Sequence, residues 1–420
     1  MKANVIGGML LIAMCAACSA DQLQDPNSHS HSETVLAATF GEDLAFLERH
    51  TQTIVLSDAT GQGKVVLAPA WQGRVMTSTA QGDGGRSLGW INHKHIATGT
   101  LVPHMNVFGG EERFWLGPEG GQFSIFHGKD KGFGWDNWQV PAPLDSLPFE
   151  VTSRARDRVT FRSTFALSNY SGTNFQVEVQ REVRLLNTGV AWRYLGLAPS
   201  SQVSVVAFES HNKLTNVGTE PWRKGSGLLS IWIAGMHPSS PSAVFMAPIK
   251  AGNSAELGNE VAPDYFGPLK SDRLKITRDA VYFLVDAGYQ SKIGISPRRS
   301  LGKFGSYDPK HRVLTIVNFT QHSGQTDYVK SVWRQQEEPY AGDAINSYND
   351  GPTTPGAETF GPFYEMESSS AAAALEPGAS IDHMHRTIHL IGAEAELEKI
   401  ARAALGVSLN VTFAAGLQGE

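Results

Sequence analysis

The stretch "GGEERFWLGPEGGQF" at residues 109–123 gathers three carboxylates, an arginine and a tryptophan between two glycine pairs. Laid out as a strand, it sends Phe114 and Leu116 to one face and Glu111, Arg113 and Trp115 to the other, because successive side chains alternate. Charge beside a flat indole suits a sugar, whose CH-rich faces stack on the ring while carboxylate and guanidinium bond its hydroxyls. The Gly117–Pro118 step ends such a strand, since proline has no N–H to donate, and re-aims Glu119 at its end. The following "HGKDKGFGWDNWQVPAP" adds Trp135, Asp136 and Trp138 in a glycine-rich loop, the kind of segment that lines a groove. A plainer account also fits, with Glu111 and Arg113 paired on the surface and the tryptophans in the core.

Three further clusters carry chemistry. In "FESHNKLTN", Glu209, His211 and Lys213 alternate with Ser210, Asn212 and Leu214 at the end of an apolar run. "NSYNDGP" sets Asn346, Tyr348, Asn349 and Asp350 before a Gly-Pro turn, either as ligand contacts or as an Asx-stabilised turn. Glu365 and Glu367 share one face of "FYEMESS"; His383, His385, Thr387 and His389 share one face of "SIDHMHRTIHLIG", with Arg386 nearer its polar end. Histidines two apart on a strand can ligate a metal or supply a general acid, and they equally suit the polar outer face of a sandwich strand. A tight turn at Pro377–Gly378 pairs these two strands as a hairpin and sets the glutamates on the face opposite the histidines; a one-residue bulge brings them together.

The elements that must position these residues are strands. From about residue 50, runs such as "RVTFRSTFAL", "NFQVEVQREVRLL" and "HRVLTIVNF" alternate apolar and polar positions, with "DGG", "NTG" and "EPGAS" as turns between them. Two stretches read as helices, "FGEDLAFLERH" near the start and "AEAELEKIARAALG" near the end, where Leu397, Ile400, Ala401 and Ala404 share a face. No repeat and no linker divides residues 35–420. The expected fold is all-β: one large antiparallel β-sandwich with short terminal helices.

The 420 residues are 41% hydrophobic, enough for a large core, and carry a net charge of −6, which removes the electrostatic basis for binding nucleic acid. The opening "MKANVIGGMLLIAMCAACSADQ" has a lysine, a short apolar run and small residues, the layout of an export signal. Its "CAACS" resembles a bacterial lipobox with Cys18 as the lipidated residue, although Cys15 stands where leucine is usual; cleavage near Ala20 is the other reading. Residues 1–18 thus read as a leader, 19–34 as a polar tether and the protein as a periplasmic or outer-membrane lipoprotein, touching membrane only through its anchor. Both cysteines, Cys15 and Cys18, lie in the leader, so the body has no disulfide framework.

The runs "GGEERFWLGPEGGQFSIF", "ESHNKLTNVG", "SKIGISPRR", "FGSYD" and "GPFYEMESSSAAAALEPGASIDHMHRTIHL" resemble an uncharacterised family of exported bacterial proteins placed in the galactose mutarotase-like superfamily, over about residues 45–392. The resemblance implies a supersandwich of antiparallel sheets with carbohydrate on its concave face. Aldose epimerases of that superfamily pair a histidine acid at the ring oxygen with a glutamate base at the anomeric hydroxyl. Carried over, Glu367 takes the base role and His211 or His385 the acid; the epimerase segment "NHTYFNL" is absent, with "SHNKLTN" in its place, which puts simple mutarotation in doubt.

The expected site is a groove formed by Arg113, Trp115, Glu119, Glu209, Asn212, Glu367 and His385, with Trp138, Asp350 and Arg386 as further sugar contacts. Glu367 with Glu119 or Glu209 is the expected proton-transfer pair, for epimerase-like or glycan-cleaving chemistry on a sugar or oligosaccharide. No cofactor is required by this scheme, and a divalent metal on His383 and His385 is the one alternative. A non-catalytic glycan-binding lipoprotein is the rival from another class.

Overall fold

The computed structural model describes residues 38–263, 265–267, 269–354 and 356–413. Cys18, the leader and the tether lie outside the described residues. The first strands are β1 (Ile54–Ser57), β2 (Lys64–Ala68), β3 (Arg74–Thr79), β4 (Arg113–Gly117), β5 (Glu150–Arg154) and β6 (Arg158–Ser168). Next come β7 (Asn174–Leu185), β8 (Val203–Asn216), β9 (Ser230–Pro238), β10 (Val244–Pro248), β11 (Leu274–Ile276) and β12 (Ala280–Leu284). The last are β13 (Ser291–Ile295), β14 (Lys303–Asp308), β15 (Val313–Phe319), β16 (Ile345–Asn349), β17 (Phe363–Ser369) and β18 (Ser380–Gly392).

They form a ten-stranded sheet in the order β11-β12-β10-β14-β15-β18-β8-β7-β6-β5, a five-stranded sheet β13-β16-β17-β9-β4 and a three-stranded sheet β1-β2-β3. Neighbours run antiparallel throughout, as the all-β expectation requires. Strand β7 shows why the alternating pattern is sufficient: Phe175, Val177, Val179, Val183 and Leu185 are buried while Asn174, Gln176 and Gln180 are exposed.

One face of the five-stranded sheet packs on the ten-stranded sheet. Phe114 of β4 and Ile231 and Ile233 of β9 meet Phe161, Val179 and Phe208 of the large sheet. At the other end Ile293, Ile345 and Met366 meet Phe245, Phe283 and Phe304. Helices cover the far face of the large sheet, where Trp192 and Leu195 of Thr188–Leu195 and Leu397 and Ile400 of Glu394–Ala404 pack on Ala207, Ile316 and Leu390. The expected helix at Phe40–His50 carries a capping box, with Thr39 and Glu42 bonding each other's backbone. The helix Thr188–Leu195 goes beyond the two the pattern suggested. Its cap is Asn187, which accepts from Gly189 N and so turns the "NTG" signal into a helix start.

Two expectations are corrected. The strands β17 and β18 do not form a hairpin: β17 pairs with β9 and β16 in the small sheet, β18 with β8 and β15 in the large one. Glu111 does not share a face with Arg113: it precedes β4, and its carboxylate accepts from Ser78 Oγ in the interior, whereas Arg113 reaches Glu365.

Candidate functional site

The second face of the small sheet carries the chemistry, and its tryptophans Trp115 and Trp232 join the hydrophobic core. Register aligns Asn346 of β16, Glu367 of β17, Ala234 of β9 and Arg113 of β4 in one row. Lys292 of β13, Tyr348 and Glu365 form the row beside it, and Ser369, Trp232 and Trp115 the row on the other side. Alternation then turns Phe114, Ile233 and Met366 inward, so a run that looks apolar at every second position delivers charge at the others. Gly235 between them is required by close approach: a Cβ there would stand 2.0 Å from the Glu111 carbonyl oxygen.

Over this face lies a cavity of about 530 Å³ lined by Arg113, Trp115, Glu119, Trp138, Trp232, Lys292, Trp333, Tyr348, Asp350 and Glu365, among others. Arg113 Nη2 donates to Glu365 Oε1 at 2.8 Å, and its guanidinium lies 3.9 Å from the Trp115 ring centre. Lys292 Nζ and Trp232 Nε1 both donate to Glu367 Oε2, at 3.0 and 2.9 Å. Glu367 Oε1 is buried and has no hydrogen-bond partner among the described residues.

The three carboxyl groups sit in unlike environments. Burial pushes Glu365 up to about 7; Arg113 pulls against that and the neighbouring Glu367 charge adds to it. Burial likewise raises Glu119, against the pull of Lys292. Burial opposes the Lys292 charge, but Glu367, Glu119 and Glu365 outweigh it and hold the ammonium above its ordinary value. Asp350 is raised by burial too; its Oδ1 accepts from the Tyr348 hydroxyl at 2.7 Å and its Oδ2 from Gly361 N at 2.8 Å, bonds that tie it to the cavity wall and to a later loop.

Of the residues expected from sequence, Arg113, Trp115, Glu119, Trp138 and Asp350 line this cavity, and Glu367 stands behind Lys292 and Trp232. Glu209, His211 and Arg386 do not. They lie on the helix-covered face of the large sheet, where Glu209 accepts from Arg386 Nε at 2.7 Å and lies 3.0 Å from His211 Nε2, and Arg386 stacks 3.3 Å over Tyr194. Burial works against the Glu209 charge, yet His211, Arg386 and Arg184 outweigh it and bring it down to about 2, the state of a fixed structural anion.

Asn212, His383 and His385 face the other way, into the space between the sheets. Asn212 accepts from Arg181 Nη1 at 2.7 Å, and Arg181 Nη2 donates to buried Glu112 at 2.7 Å. His383 Nε2 and His385 Nδ1 each lie 2.8 Å from Ser368 Oγ, and burial brings both rings down to about 3. They are therefore neutral interior groups that lie neither on an outer strand face nor at the cavity. Among the described residues no group of three or more His, Cys, Asp and Glu side chains is placed to hold a metal ion. Glu111, also interior, accepts from Ser78 Oγ at 2.8 Å and lies 3.0 Å from His389 Nε2.

Lys292, Trp232 and Trp333 were not anticipated. Lys292 had a signal, a lone cation within the buried "SKIGI" strand; Trp232 hid inside the apolar run "SIWIAGM".

Solved structures similar to this one over about four fifths of the chain share little sequence with it. A protein from Synechocystis sp. is 12% identical at a TM-score of 0.49, covering 81% of this chain and 96% of that chain. A galactose mutarotase-like protein from Lactobacillus casei is 10% identical at 0.45, covering 81% and 100%. A galactose mutarotase related enzyme from Lactobacillus acidophilus is 12% identical at 0.44, covering 80% and 97%. No curated protein matches the chain. The sequence profile of one family covers residues 38–414, and the chain belongs to it: a family of unknown function, DUF6786.

Proposed function

We propose that this protein performs acid–base chemistry at the anomeric carbon of a sugar bound on the free face of the small sheet. The observation that carries the reading is a set of three carboxyl groups held with Lys292 and Arg113: half-buried Glu119 and buried Glu365 line the cavity, and buried Glu367 stands behind Lys292. No histidine lines the cavity among the described residues, so the acid role that the sequence resemblance assigned to His211 or His385 passes to a carboxyl group.

Opening a hemiacetal needs a proton delivered to the ring oxygen and another removed from the anomeric hydroxyl, and both oxygens are bonded to one carbon. The two groups must therefore be neighbours, as Glu365 and Glu367 are on β17. Glu365 gives its proton to the ring oxygen; Glu367, facing Lys292, takes the hydroxyl proton at its unpartnered Oε1. Ring closure on either face returns both protons. With Glu119 across the cavity as the second group, the same acid serves cleavage of a glycosidic bond. The leader ending at Cys18 supports placing this chemistry outside the cytoplasm, on a lipid anchor.

Time-resolved proton NMR of the anomeric region, with protein added to freshly dissolved sugars and oligosaccharides, tests the reading. New or faster-exchanging anomeric signals are expected, and their identity separates cleavage from epimerisation. Line broadening of a sugar without new signals leaves a binding protein and overturns the catalytic reading.

A further inference from the structure

Two of the few exposed large hydrophobic side chains sit on the cavity wall: Trp135 at 43% and Phe266 at 47% exposure. Neither serves the core. Trp135 stacks on His104 at 4.7 Å and on buried Trp138 at 5.2 Å and lies 5.9 Å from Phe360, while Phe266 meets Tyr348 edge-on at 5.9 Å. Flat rings kept partly in water at the mouth, above a floor already furnished with Trp115 and Trp232, make a second tier of stacking surface. The cavity, about 530 Å³, is in the range of pockets that hold ligands of many heavy atoms and is deeper than one pyranose ring needs.

The charge pattern limits what sits there. Both cations on the wall are committed among the described residues, Arg113 to Glu365 and Lys292 to Glu367. Glu119, which shares the attraction of Lys292, together with Asp350 and the rim residue Glu358, brings the lining acids to four with Glu365, against two cations. A ligand carboxylate or sulfate would enter beside these acids in a partly dehydrated site and be repelled. The donors left over are neutral: the indole N–H groups of Trp115 and Trp138 are buried without partners, which suits hydroxyl oxygens.

We infer, on the footing of the sugar reading above, that the ligand is an uncharged saccharide of at least two rings, one on the floor beside Trp115 and Trp232, whose rings Arg113 and Lys292 already approach, and the next against Trp135 and Phe266. The test is calorimetric titration of the full-length protein with matched probes: glucose, maltose and cellobiose; galactose and lactose; mannose and mannobiose; galacturonate and digalacturonate. At least one neutral disaccharide is expected to bind about tenfold tighter than its monosaccharide or more. Trp135→Ala and, separately, Phe266→Ala are expected to collapse that ratio towards one, with circular dichroism reporting that each variant is folded. A monosaccharide bound as tightly as its disaccharide overturns the second tier while leaving the sugar reading in place. Preference for digalacturonate over every neutral pair overturns the charge argument. Absence of binding by every probe fails the sugar reading itself.

Discussion

Glu365 is the residue on which the proposed chemistry turns. A carboxyl near 7 is half protonated at neutral pH, and it is held there by burial and by Glu367, against Arg113. Its folded value is above the ordinary 4.5, so the acid form is present below about 7 and lost as pH rises through it. Turnover is therefore expected to fall with rising pH through about 7. Glu365→Gln keeps a hydrogen-bond donor but has no proton to transfer; a loss of about 10²–10⁴ in kcat is expected, together with loss of that break in the pH–rate profile. A variant that retains the break assigns the proton to Glu119 instead.

At the scale of the element, β17 does two jobs with one alternation. Glu365 and Glu367 stand in neighbouring rows of the cavity face, Glu365 lining the cavity, while Met366 and Ser368 face the large sheet. Ser368 Oγ is the shared partner of His383 and His385, and His383 Nδ1 is already unpartnered. Ser368→Ala leaves two buried rings short of a hydrogen bond, at a cost of about 1–3 kcal/mol each where no water replaces the hydroxyl. A lower urea midpoint with an unchanged slope is the expected result; an unchanged midpoint means the hydroxyl is not what satisfies the rings.

For the molecule, the polar layer between the sheets sets the response to acid. His237, His383 and His385 are each brought down to about 3, burial being the largest cause, against 6.5 in an unfolded chain. Below 6.5 the unfolded chain binds protons that the folded one refuses, so each histidine's contribution is complete above 6.5 and is lost as pH falls towards 3, by about 1.4 kcal/mol per pH unit. Glu365 acts in the opposite sense, its contribution present below 4.5 and lost as pH rises towards 7. Glu119 and Asp350, also raised by burial, act in the same sense as Glu365, and against these carboxyls stand three histidines each brought down to about 3. The urea midpoint is expected to be lower at pH 5.5 than at pH 7.5; a rise on acidification shows that the rings are charged in the folded state.

The alternation of apolar and polar residues determined by itself that the chain is an antiparallel β protein with helices near both ends, since burial of one strand face is a local property of sequence. It also marked Arg113, Trp115, Glu119 and Glu367 as groups out of keeping with a plain strand. Which of two polar faces becomes the cavity was decided only in tertiary structure. Glu209 and His211 follow the same alternation as Glu365 and Glu367, yet helix Thr188–Leu195 covers the former, while the face of the latter borders the cavity. Strand partners were equally beyond local reading: β17 and β18 adjoin in sequence but lie in different sheets. Lys292, 75 residues before Glu367, becomes its counter-ion only because β16 pairs with both β13 and β17. Hydrogen bonds across a sheet join segments by register, and register is a property of the whole packed fold.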